Sequence, residues 1–328
     1  MTAINELFEK LESHKFDESC CFLCGDDLND VNRTREHVVP KWIQKKFNLW
    51  NQKITLLNGT DFKYSYLTIP CCFNCNNKFL QPIEEILIPA FNMGVEAVRQ
   101  IDPDILFYWL GKIYFGMMYK ELFLSLKQKN PKKGNILTAD YLKTFKAHYL
   151  FLQGIRGLHK FNGFSPYSLY IVETQCHKQK EEQWDFLDSH NTMFISCRIG
   201  SVGLICVLQD GGASKHLEKH LEKYFEIPLH PIQFRELSAK ILYKSMLFNR
   251  TPKFISFEVN GYIETTMSPL GGLSGLPIYN EWDNDIYGQI LSQLTNMPLE
   301  FTNPIPGKAR TWMVDESGKT LIMDVNKE

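Results

Sequence analysis

The sequence predicts an α+β protein, with a small metal-binding module over residues 1–100 and a larger mixed α+β domain over residues 101–328. Three observations carry this. Two Cys-x-x-Cys pairs, Cys21/Cys24 and Cys72/Cys75, have the spacing that lets four thiolates turn back onto one tetrahedral zinc ion. A chain of 328 residues exceeds the usual single domain, so a module plus a domain is the natural division. Beyond residue 100 the apolar pattern is first helical, then alternating, then helical again, which gives helices, a mostly antiparallel sheet and more helices.

The elements follow in order. Ile4, Leu7, Phe8 and Leu11 recur at helical spacing, predicting a short helix over residues 3–13 that covers the module. Gly25 suits the tight turn after the first Cys pair. Residues 34–39 read as a strand ended by Pro40, and residues 41–47 as a turn or two of helix. Asn58-Gly59 predicts a hairpin between the apolar run 54–57 and the aromatic run 62–66. Residues 77–87 read as helix with a break or fresh start at Pro82, whose first turn would hold Glu84 and Glu85. Asp102-Pro103 is a cap-and-start signal and marks the domain boundary near residue 100. Further helices are expected over 139–153, 214–224 and 234–248, and strands over 167–173, 192–199, 201–208 and 254–259. The Gly- and Pro-rich stretch 268–280 is a loop leading to a short C-terminal segment.

Composition narrows the function. A net charge of −1 argues against a protein that coats nucleic acid by bulk charge, so any such contact needs a local basic patch or a partner. Nine cysteines are too few and too irregular for a disulfide framework in this length, and four zinc thiolates need a reducing compartment. The first fifteen residues carry Glu6, Glu9 and Glu12 and lack the apolar core of a signal peptide. The apolar stretch 105–126 is interrupted by Lys112, Lys120 and Glu121 and falls short of a membrane span. A cytoplasmic protein without a membrane partner is the expectation.

The chemistry concentrates between the Cys pairs. Cys21, Cys24, Cys72 and Cys75 form a closed four-thiolate set, which is structural and not catalytic. Cys20 and Cys71 each precede a proposed ligand and offer a three-residue gap; the two-residue spacing is the commoner and is adopted. Between the pairs stands Glu36-His37, followed at Pro40 by the end of the strand, and Asn76 comes directly after Cys75. A zinc knuckle alone has no need of this carboxylate, imidazole and amide. Arg33, Arg35, Lys41, Lys45 and Lys78 flank them as candidate phosphate contacts, each of which an ordinary solvated surface explains equally well.

Glu36-His37-Val38-Val39-Pro40 together with Cys72-Phe73-Asn74-Cys75-Asn76 resembles the HNH endonuclease motif, over about residues 18–90. The resemblance implies a ββα-metal nuclease on a treble-clef zinc fold. It implies His37 as general base, Glu36 and Asn76 as ligands of a catalytic Mg²⁺ or Mn²⁺, and DNA as substrate. Glutamate at position 36 departs from the usual Asp or His of that doublet, and Asn77 is the alternative to Asn76. The family's middle Asn, which orients the base, has Asn58 as its nearest candidate here, although a turn explains that residue too. Nucleases of this family often serve in bacterial restriction or defence against phage. RNA cleavage and a non-catalytic treble-clef binding module are the alternatives, and the larger domain is assigned target selection, dimerisation or docking to a partner subunit.

Overall fold

The computed structural model describes residues 9–10, 13–56, 59–127, 129–271 and 275–327. The chain is mixed α+β and divides into two compact units. The first comprises Met1–Pro89, Ile101–Gly163 and Phe254–Thr266; the second comprises Ala90–Gln100, Phe164–Lys253 and Met267–Glu328. The expected division at residue 100 is therefore corrected, because residues 101–163 and 254–266 belong with the cysteine-bearing segment. Most of the helix expected over residues 3–13 lies outside the described residues, as does Asn58.

In the first unit, β1 (Arg33–His37) pairs antiparallel with β4 (Thr68–Cys72), setting Glu36 opposite Ile69 and His37 opposite Thr68. Between them lie helix α1 (Lys41–Lys46) and a hairpin of β2 (Lys53–Thr55) and β3 (Asp61–Lys63), shorter than its flanking apolar runs suggested. After β4 the chain enters a π-helical turn, Cys75–Leu80, which runs straight into helix α2 (Gln81–Met93). Pro82 makes no break: the Gln81 amide before it bonds back to the Asn76 carbonyl within the π turn, and the helix continues to Met93.

The core of this unit is helix α3 (Pro103–Glu121). Asp102 caps it, its carboxylate accepting from the Asp104 amide at 2.9 Å, as the Asp-Pro signal predicts. Leu106, Phe107, Trp109, Leu110, Ile113, Phe115 and Met118 are buried, so the helix is apolar all round and must be covered on every side. The ribbon of β1 and β4 covers one side. Gly116 faces Val38 and Ile69, where an added Cβ would come within 3.2 Å of the Val38 methyl, and the Lys120 ammonium donates to the Thr68 carbonyl at 3.2 Å. Burial of each such apolar side chain is worth roughly 1.5–3 kcal/mol, which makes α3 part of the module. Two short helices, Ala139–Lys143 and Lys146–Leu152, replace the single one expected over 139–153. A three-stranded sheet completes the unit, ordered β10 (Phe254–Val259), β11 (Tyr262–Met267), β5 (His159–Phe161), with β11 and β5 parallel.

The second unit holds a four-stranded antiparallel sheet in the order β6 (Ser168–Glu173), β9 (Val202–Val207), β8 (Phe194–Ile199), β7 (Trp184–Ser189). Helix α4 (Pro231–Met246) packs on it, with Phe234 closing over Gly203, where any Cβ would fall 2.4 Å from the ring. Helix α5 (Asn284–Thr295) lies within the stretch expected to be a short C-terminal segment. The buried Glu236 carboxylate accepts from the Trp312 amide at 2.6 Å, fastening the C-terminal segment to α4.

Candidate functional site

The four cysteines are brought together by three separate segments. Cys21 and Cys24 lie on a turn closed by the Gly25 amide donating to the Cys21 carbonyl at 2.9 Å, with Gly25 at φ +75°. Cys72 ends β4 and Cys75 opens the π-helical turn, its amide donating to the Cys72 sulfur at 3.3 Å. All four are buried, and their sulfurs lie within 4.8 Å of one another. The Cys24 and Cys72 sulfurs stand 3.8 Å apart, matching the roughly 3.8 Å edge of a tetrahedron with about 2.3 Å Zn–S bonds. Hydrogen bonds from Cys21, Cys24 and Cys75 hold the Cys72 thiol below its ordinary value, while contacts within the cluster and burial push the Cys24 and Cys75 thiols up. The two-residue spacing is the one whose sulfurs converge; Cys71 points a hydrogen bond at the Cys72 carbonyl, and Cys20 at Asp27. This buried set can hold a metal ion such as zinc.

Beside it, a cavity of about 180 Å³ is lined by Arg35, Glu36, His37, Lys41, Asn76 and Glu84, among others. Five of the residues singled out in sequence, Arg35, Glu36, His37, Lys41 and Asn76, thus meet in one place, from β1, the start of α1 and the turn after β4. The Asn76 amide donates to the Thr34 hydroxyl at 3.1 Å and to the Arg35 carbonyl at 3.3 Å, while Thr34 in turn donates to the Cys71 carbonyl at 2.8 Å. That chain of bonds ties the turn after Cys75 to β1, and β1 to β4 at Cys71, the residue before the cluster's Cys72. Asn77 instead donates back to Phe73 at 2.9 Å, so Asn76 is the residue that lines the cavity. Asn76→Ala removes two hydrogen bonds between β1 and the turn and is expected to lower unfolding free energy by about 1–2 kcal/mol in urea titrations. An unchanged midpoint would show that the amide is not a fastener.

His37 is 9% exposed and lies against Trp50, with ring centroids 5.6 Å apart. Burial, then the charges of Lys41 and Lys112, lower its pKa to about 4, so the ring is neutral at pH 7. Its Nδ1 lies 3.2 Å from the side-chain nitrogen of Gln44, which also donates to the Val39 carbonyl at 2.7 Å. Because that NH₂ must face a carbonyl on one side, it donates to Nδ1 on the other, and the imidazole proton sits on Nε2.

Glu36 is 8% exposed and forms an ion pair with Lys112, a residue of α3 that is only 2% exposed. The same ammonium donates to the His37 carbonyl at 3.0 Å. Glu84 faces the cavity from α2; burial, against the opposing charge of Lys112, pushes its carboxyl up to about 7. Among the described His, Cys, Asp and Glu residues, the four cysteines are the only group of three or more whose ligand atoms converge. A divalent ion on Glu36 would have to displace, or stand beside, the Lys112 ammonium that already pairs with that carboxylate. The arrangement does not fit the Mg²⁺ or Mn²⁺ expected on Glu36 and Asn76.

No protein-family profile, curated protein or solved structure matches this chain.

The basic residues divide in two. Arg35 and Lys41 line the cavity, although Arg35 also pairs with Glu18 at 2.7 Å. Arg33 donates to the Glu18 carbonyl at 2.9 Å, and Lys45 and Lys78 are exposed, the latter 5.6 Å from the Phe79 ring centre. Sequence reading passed over Gln44, Glu84 and Lys112. Lys112 carried a usable signal, because a lysine inside a long apolar helix must find a buried anion.

Proposed function

We propose that the first unit is an HNH-type nuclease module that hydrolyses phosphodiester bonds of DNA. The observation that supports this reading most is the meeting of Glu36, His37 and Asn76 in one cavity beside a four-cysteine cluster. On this reading a phosphate enters between Arg35 and Lys41, whose charges face its oxygens. A water oxygen bonds to phosphorus and gives its proton to Nδ1 of the neutral His37, once the Gln44 amide turns away. The ester bond breaks with its electron pair on the leaving sugar oxygen, which takes a proton from solvent. No step is routed through a divalent ion, because the residues present do not fit one. The reduced thiolates suit a cytoplasmic setting, and the second unit takes target selection, dimerisation or docking to a partner.

Plasmid cleavage by the zinc-loaded wild type and by His37→Ala tests this, with Mg²⁺, with Mn²⁺ and in metal-free buffer. Loss of a general base is expected to slow cleavage by about 10²–10⁴-fold while zinc content and circular dichroism are retained. Undiminished cleavage in His37→Ala would overturn the mechanism. Cleavage of RNA with plasmid left intact would transfer the reading to RNA. Nucleic-acid binding with no cleavage of either polymer would leave a binding module.

A further inference from the structure

We propose that the positive charge at this site is the ammonium of Lys112, in place of a divalent ion, and that cleavage here needs no Mg²⁺ or Mn²⁺. The inference rests on the nuclease reading above and concerns how Glu36 is neutralised. In a metal-dependent site the acidic member of the doublet must be free to take a cation. Here it is already taken. Lys112 reaches both members of the doublet, pairing with the Glu36 carboxylate and donating to the His37 carbonyl at 3.0 Å.

The placement is fixed, not incidental. Lys112 projects from the middle of α3, one turn after Trp109 and four residues before Gly116, whose missing side chain lets Val38 and Ile69 approach. Lys112 is 2% and Glu36 8% exposed, so each is the other's main charge partner, and removing one would leave the other's buried charge uncompensated. The side chains that can touch a phosphate are His37, Arg35 and Lys41, which line the cavity. Lys112 is a positioning residue: it cancels the carboxylate that would repel the phosphate, and it holds the strand at the carbonyl of His37. The reaction remains hydrolysis. Water supplies the new P–O bond, His37 takes its proton, and the leaving oxygen keeps the electron pair of the bond that breaks, so no redox partner is needed.

Two measurements on the zinc-loaded protein test this, in buffer stripped of metal on a chelating resin with retained zinc confirmed by atomic spectroscopy. The first is Mn²⁺ titration followed by electron paramagnetic resonance. Wild type is expected to bind no Mn²⁺, whereas Lys112→Met, which frees Glu36, is expected to bind one ion. The second is plasmid cleavage with and without Mn²⁺. Wild type is expected to cleave equally in both, and Lys112→Met to lose cleavage in metal-free buffer and regain it with Mn²⁺. The double variant Glu36→Gln/Lys112→Met removes both buried charges together and guards against misfolding of the single one. It is expected to cleave without metal and to bind no Mn²⁺.

Wild-type cleavage that appears only with Mg²⁺ or Mn²⁺ would overturn the inference and leave the nuclease reading standing. So would one Mn²⁺ bound by wild type and lost in Glu36→Gln. Failure of wild type to cleave DNA or RNA under any condition would overturn the nuclease reading, and this inference with it.

Discussion

Removing the metal from Cys21, Cys24, Cys72 and Cys75 is expected to unfold the first unit. The cluster joins the turn before β1, the end of β4 and the turn that opens α2. Zinc held by four thiolates contributes about 10–16 kcal/mol of apparent binding free energy, which equals or exceeds the whole stability of an ordinary domain, about 5–15 kcal/mol. Without it, four buried thiols are left crowded within 4.8 Å of one another. The expected result is one zinc per chain, whose release by a chelator coincides with loss of amide protection across β1, β4 and α3. Cys24→Ser should reproduce the chelated state. Protection in these elements that survives complete metal removal would show that the cluster is a packing feature and not a folding site.

Acid is expected to destabilise the same unit steeply between pH 6.5 and 4. His14, His37, His148 and His159 are all buried, and burial lowers each from 6.5 to about 4. In that window the unfolded chain takes up protons that the folded chain refuses. Above pH 6.5 both states are neutral at these rings and no penalty exists; the loss is complete once pH passes below the folded value. For His148, fully enclosed and hydrogen-bonded to the Gly111 carbonyl at 3.1 Å, the shift corresponds to about 3 kcal/mol. Glu84 works the other way: raised from 4.5 to about 7, it favours the folded state as pH falls. One such group does not offset four histidines. Urea midpoints measured at pH 7 and pH 5 should fall sharply, and His148→Gln should flatten part of the slope. A pH-independent midpoint would mean that these rings are accommodated as cations.

The parts legible in sequence were those whose cause is local. The paired cysteines, the strand ended by Pro40 and the cap at Asp102 each follow from a few neighbouring residues, and each stands in the structure within a residue or two. What stayed hidden depends on partners distant in sequence. The all-round apolar character of α3 says that it is buried but not against what, so the boundary was placed before it instead of after it. The parallel pairing of β11 with β5 joins residues about a hundred positions apart, and nothing in either short strand marks the other. Lys112 belongs to the same class, since its meaning comes from Glu36 on β1. Helix α5 was readable and missed. Asp283 accepts from the Asp285 amide at 2.8 Å, and Tyr287, Ile290 and Leu291 follow at helical spacing, but the Gly- and Pro-rich stretch before it drew the reading toward loop.

The π-helical turn at Cys75–Leu80 bears on how this chain tolerates insertions and deletions. A π turn holds one residue more than the α turn it replaces. Deleting a single residue between Asn76 and Leu80 would let the turn relax to α and leave the helix after it in phase with the cysteines. A deletion within α2 itself would instead rotate all that follows by about 100°. In the first case Gln81 and Glu84 would keep their places in the cavity wall, and Cys75 its place in the cluster. A shortened lineage could thus lose one residue at this turn and keep both cluster and cavity, whereas the same loss a turn later would keep the cluster and turn the rest of α2 away.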